Sequence, residues 1–68
     1  MKIRYYSDTD TALIEFSEAP VVETKKITEN LYIDLDKKDK LVSMTIEHAK
    51  EQANISEVSF LQMEKDSD

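Results

Sequence analysis

Apolar and polar residues alternate in short runs along the first two thirds of the chain, and polar clusters separate the runs, which is the pattern of antiparallel hairpins. In the first run, Lys2 to Tyr6, Ile3 and Tyr5 point one way and Lys2, Arg4 and Tyr6 the other. Ser7-Asp8-Thr9-Asp10 supplies side chains that bond their own backbone in a turn. A second strand is expected from Ala12 to Phe16, with Ala12, Ile14 and Phe16 on one face and Leu13 and Glu15 on the other. Pro20 cannot donate to a ladder and belongs between strands or at the start of an edge strand. Val21 to Thr28 mixes β-branched residues with Glu23, Lys25 and Lys26, which suits an edge whose charges discourage pairing with other chains. Thr28-Glu29-Asn30 turns the chain into the clearest hairpin, in which Leu31, Ile33 and Leu35 precede Asp36-Lys37-Lys38-Asp39-Lys40, and Val42, Met44 and Ile46 follow it.

The pattern then changes. Glu47 to Ala53 is rich in helix formers and predicts a short helix or turn. Beyond it, Ile55, Val58 and Leu61 fit a helical stripe capped by Asn54 and Glu57, whereas Val58 and Phe60 around Ser59 fit a last strand, the reading favoured here. In either form this segment is expected to cover the sheet face that carries Ile14, Phe16, Ile33, Leu35, Met44 and Ile46, because so apolar a face must be buried. The fold class is therefore α+β, mostly β: an antiparallel sheet of about five strands with a short C-terminal helix or turn. Residues 1–63 form one domain and 64–68 a disordered acidic tail. On the opposite face Tyr6, Leu13, Tyr32 and Leu41 stand among charged and hydroxyl side chains, a candidate interaction surface if they gather into one patch.

Length sharpens this picture. A chain of 68 residues buries only about 60% of the surface its unfolded form exposes, so its core is thin. Small domains of this kind lean on disulfides, a metal or a partner surface. There is no cysteine, which removes disulfides, thiolate metal sites and thiol catalysis, and leaves self-association as the remaining option. A homodimer is the expected partnership. The net charge of −6, from 15 acidic and 9 basic residues, repels phosphate backbones, so no nucleic-acid binding is expected, while it favours encounter with a basic protein. No run is apolar enough for a signal peptide or membrane span, and a cytoplasmic protein without membrane contact is expected.

The candidate chemistry is sparse. Asp34-Leu35-Asp36-Lys37-Lys38-Asp39 looks superficially like a calcium loop, but Lys38 stands where a ligand is needed, Asp39 where a glycine is needed and Thr45 where a glutamate is needed. No metal or other cofactor is expected. His48, the only histidine, is next to Glu47 and three residues from Glu51, a spacing at which a carboxylate orients an imidazole; an enzyme using His48 with Glu47 or Glu51 is the second alternative, disfavoured because no nucleophile or metal triad accompanies the pair. No serine lies in a glycine-flanked elbow, since the chain has no glycine. Tyr5, Tyr6 and Tyr32 read as good strand formers rather than a base-stacking platform. No catalytic residue is assigned, and a non-enzymatic interaction module is expected.

Tyr5-Tyr6-Ser7-Asp8-Thr9-Asp10-Thr11-Ala12-Leu13-Ile14, Val22-Glu23-Thr24, Leu31-Tyr32-Ile33-Asp34-Leu35-Asp36 and Ile46-Glu47-His48-Ala49 occur in an order and spacing that resembles the family catalogued as domain of unknown function 2283. The resemblance covers roughly residues 3–50. Family members often carry a glycine in the turn after the D-x-D, where this chain has Lys37, Lys38, Asp39 and Lys40. The resemblance implies no catalytic residue. Because some members are encoded beside small toxin-like proteins, it implies an antitoxin role, neutralising a small basic partner, as the alternative to a self-associating module.

Overall fold

The computed structural model describes residues 1–64. Five strands form one antiparallel sheet: β1 (Lys2–Tyr6), β2 (Thr11–Glu15), β3 (Glu23–Thr28), β4 (Leu31–Leu35) and β5 (Leu41–Glu47), followed by one helical turn, α1 (Ala49–Gln52). Their order across the sheet is β1-β2-β5-β4-β3, which places the seven-residue β5 at the centre and the charged β3 at an edge. The expected mostly-β architecture and its short helical turn are therefore present. The charged tail 64–68 lies outside the described residues apart from Glu64.

Antiparallel order puts the β4–β5 turn and the 16–22 connection at one end of the sheet, here called the upper end. The β1–β2 and β3–β4 turns and α1 share the lower end. The 16–22 connection passes over the upper ends of β5 and β4 to reach the far edge. It is tied there by the amides of Phe16 and Ser17, which both donate to the Val42 carbonyl (2.7 and 3.2 Å), and by Val22 N–H donating to Leu35 O at 2.9 Å. Val42 and Leu35 are buried beneath this crossing.

Two irregularities break the alternation. Asp34 faces Ser43 but Leu35 faces Leu41, so Val42 is an extra residue in β5; likewise Ile27 is extra in β3 between the Lys26–Tyr32 and Thr28–Leu31 pairs. The first bulge turns the Val42 carbonyl to the two amides of the crossing chain. It also moves Leu41 opposite Leu35, off the face on which an unbroken alternation places it with Leu13 and Tyr32.

Three backbone positions need a left-handed conformation, and with no glycine in the chain Asp10 (φ 54°), Asp39 (φ 61°) and His48 (φ 53°) take them. Asp39 closes the β4–β5 hairpin. Its N–H donates to Asp36 O at 3.0 Å, and Asp36 N–H donates to Lys40 O at 3.0 Å. The Asp36 carboxylate accepts from the amides of Lys38 and Lys40 at 2.8 and 2.9 Å. This is a type I turn followed by a left-handed residue, so the turn works without the family's glycine. Asp39→Gly is expected to raise stability by about 0.5–1 kcal/mol, because glycine removes the left-handed penalty, and Asp39→Val to lower it by at least as much. Urea midpoints of the two variants check both signs.

The C-terminal segment differs from expectation. Residues 53–64 form neither helix nor strand. They do not cover the sheet either: Ile55 is half-buried, but Phe60, Leu61 and Met63 are 74%, 78% and 82% exposed, and Val58 is exposed too. The sequence pattern is ambiguous for a physical reason, since Ile55, Val58 and Leu61 follow a spacing of three while Val58 and Phe60 follow a spacing of two, so neither periodic element collects all the apolar side chains on one side.

Candidate interaction surface

Residues directly opposite in adjacent strands share a face, so the register fixes the composition of both sides. One face carries the row Ile3, Ile14, Met44, Ile33, closed at the β3 edge by Lys25, and below it the row Tyr5, Ala12, Ile46, Leu31. Four strands thus place isoleucine or methionine side by side across the middle of the sheet. The other face carries Lys2, Glu15, Ser43, Asp34 and Thr24 in one row and Arg4, Leu13, Thr45, Tyr32 and Lys26 in the next. Its polar groups satisfy one another: Thr24 and Ser43 hydroxyls donate to the two oxygens of Asp34, each at 2.6 Å, and Arg4 lies 3.5 Å from Glu15. A hydrogen-bonded face of this composition is at ease in water.

The four residues singled out on that polar face do not all converge. Leu13 and Tyr32 flank Thr45 and are half-buried; Tyr6 is exposed at the lower end, opposite Thr11; Leu41 is exposed at the upper end, beside the bulge.

Burial shows how little covers the apolar face. The buried apolar residues among those described are Ala12, Leu35, Val42 and Ala49, two small side chains towards the lower end and two under the upper crossing. Between them Ile14, Ile33, Met44 and Ile46 are only half-buried, and Ile3 is exposed. The molecule has a solvent-accessible surface of 5751 Å² for 7.9 kDa, whereas a compact monomer of that mass exposes about 4,400 Å². The excess is about 1,300 Å² per chain, shared between the sheet face and the extended segment after α1.

The lower end is held by Asp10. Its carboxylate accepts from the Tyr5 hydroxyl at 2.7 Å and from Lys50 N–H at 3.2 Å, while its carbonyl accepts from Ala49 N–H at 2.9 Å. The bond from Tyr5, reinforced by the Lys50 amide and charge, holds the Asp10 carboxyl below its ordinary value, and the same bond raises the Tyr5 hydroxyl. The unfolded chain then binds the proton on Asp10 more readily than the folded one, so stability is fully present above the ordinary carboxylate value and is lost as pH falls through the depressed one. Urea midpoints of the wild type are expected to fall more steeply between neutral pH and about pH 3 than those of Asp10→Asn.

His48 does not join a carboxylate. Its Nδ1 lies 2.8 Å from the Asn30 side-chain oxygen, which only accepts, so the ring nitrogen donates and the pairing ties α1 to the β3–β4 turn. The imidazole is exposed. Among the described residues no group of histidine, aspartate and glutamate is placed to hold a metal ion, and no helix is long and apolar enough to cross a membrane. Asn30, the Asp10 anchor and the two bulges escape sequence reasoning, since each depends on contacts between strands distant in the chain.

Residues 2–50 match the family model described as a protein of unknown function, DUF2283. No curated protein and no solved structure matches the chain.

Proposed function

The chain belongs to the DUF2283 family of proteins of unknown function, and from that starting point we propose that it is a non-enzymatic self-association module whose apolar sheet face takes a second copy of the same face. The observation that carries this reading is the row Ile3, Ile14, Met44, Ile33, in register across four strands with no second layer over it among the described residues. A sheet buries an apolar face against another element, and here the chain supplies one helical turn. The excess surface supports the same occupant. The part of it that lies on this face needs to supply only about 800 Å² per copy to make an interface of standard size. Two such sheets stack about 10 Å apart with their inner side chains interleaved.

Such a dimer couples folding to association. The thermal midpoint of the wild type is expected to rise with protein concentration, because mass action favours the folded dimer over two unfolded chains. A midpoint that stays constant across a hundredfold range would overturn the reading.

A further inference from the structure

We propose that the segment Ile55–Met63 of each copy seats in a lysine-rimmed groove at the upper end of its partner; this rests on the dimer reading above. The groove has a volume of about 340 Å³, an apolar floor of Ala19, Pro20 and Val22, and a rim of Lys37, Lys38 and Lys40. Asp36 also lines it, but its carboxylate is turned into its own hairpin, accepting from the amides of Lys38 and Lys40. The segment has the complementary composition: Val58, Phe60, Leu61 and Met63 are apolar and exposed, and the exposed carboxylates of Glu57 and Glu64 stand among and after them. Apolar anchors for the floor are thus accompanied by carboxylates for the rim.

Geometry favours the partner's groove over the chain's own. The segment leaves α1 at the lower end beside Tyr5, where Tyr5, Lys50 and Ile55 line an open pocket of about 400 Å³. Its own groove is at the opposite end and across the sheet. Seven residues of β5 span about 24 Å, and three strand spacings add about 14 Å, a diagonal of about 28 Å. Nine fully extended residues reach about 30 Å. The path within one chain therefore needs complete extension across the very face that the second copy covers. A two-fold axis lying in the face and perpendicular to the strands turns one sheet end for end relative to the other. It sets the lower end of each copy beside the upper end of its partner, so the segment crosses only the three strand spacings and the gap between the sheets, about 17 Å instead of about 28 Å.

The native chain has no cysteine, so a disulfide between introduced ones reports this contact. Phe60→Cys and Lys38→Cys chains, mixed and oxidised, are expected to give a cross-linked species of twice the 7.9 kDa chain mass that contains one chain of each kind. The chain carrying both substitutions is expected to cross-link between copies, not within one. Closure within a single chain, or failure to cross-link while the wild type remains dimeric, overturns the seating and leaves the dimer intact. A wild type that is monomeric by sedimentation removes the dimer reading itself. As an independent arm, a chain ending at Asn54 is expected to keep the strand spectrum of the wild type and to dissociate at least tenfold more readily, with a weaker dependence on salt; unchanged dissociation would also overturn the seating.

Discussion

Met44→Glu is expected to convert the protein to monomers at concentrations where the wild type is dimeric, weakening association at least a thousandfold, or about 4 kcal/mol. Met44 stands at the middle of the central strand, opposite Ile14 on β2 and Ile33 on β4, and is half-buried in the single chain. On an isolated sheet a glutamate there still reaches water, so the fold tolerates it at modest cost. Between two stacked sheets the same carboxylate loses its hydration without a partner, and the two-fold axis brings a second one nearby; an unpaired buried charge costs several kcal/mol. The control is Tyr32→Glu on the polar face, expected to change association by less than about threefold, that is, less than about 0.7 kcal/mol. Sedimentation velocity of the two variants separates the faces. If Tyr32→Glu dissociates the protein and Met44→Glu does not, the contact surface is the one around Leu13 and Tyr32.

Leu35→Ala is expected to leave the chain largely unfolded near body temperature. Leu35 is one of four buried apolar residues among those described, is packed under the 16–22 crossing beside Val42, and its carbonyl receives the Val22 amide. Deleting such a side chain costs about 2–5 kcal/mol, and a domain with so thin a core has little more than that in reserve. Leu41→Ala, at the residue paired with Leu35 across the bulge but exposed, is expected to cost under about 1 kcal/mol. Circular dichroism under urea gives both values. The pair also tests the bulge, since an unbroken alternation assigns Leu41 to the face opposite that of Leu35, with which the register pairs it.

Much of the sheet was legible because alternation is a local signal. The runs around Ile3, Ile14, Ile33 and Met44 each declare a strand and a face, and Pro20 with Glu23, Lys25 and Lys26 marks the edge strand that β3 turns out to be. The strand order was not legible, because pairing β2 with β5 joins residues about thirty positions apart and no local pattern encodes it. The bulge at Val42 escapes for a related reason: its carbonyl receives the Phe16 and Ser17 amides of a chain that crosses it from elsewhere in the sequence. The left-handed turn residues were only half visible. Asp10 and Asp39 fall in clusters that announce turns, whereas the same conformation at His48 follows from the anchoring of Ala49 and Lys50 to Asp10. Of the proposed contact surface, the apolar face was visible as a row of core residues, but its being left uncovered by the described residues was not, because that depended on where the last segment goes.

The covering of that face by a second copy is the central claim, and sedimentation equilibrium of the untagged wild type at micromolar concentration tests it most directly. The expected result is a single species of twice the 7.9 kDa chain mass, dissociating only on strong dilution. A species of 7.9 kDa that keeps its native spectrum over the whole concentration range would contradict it.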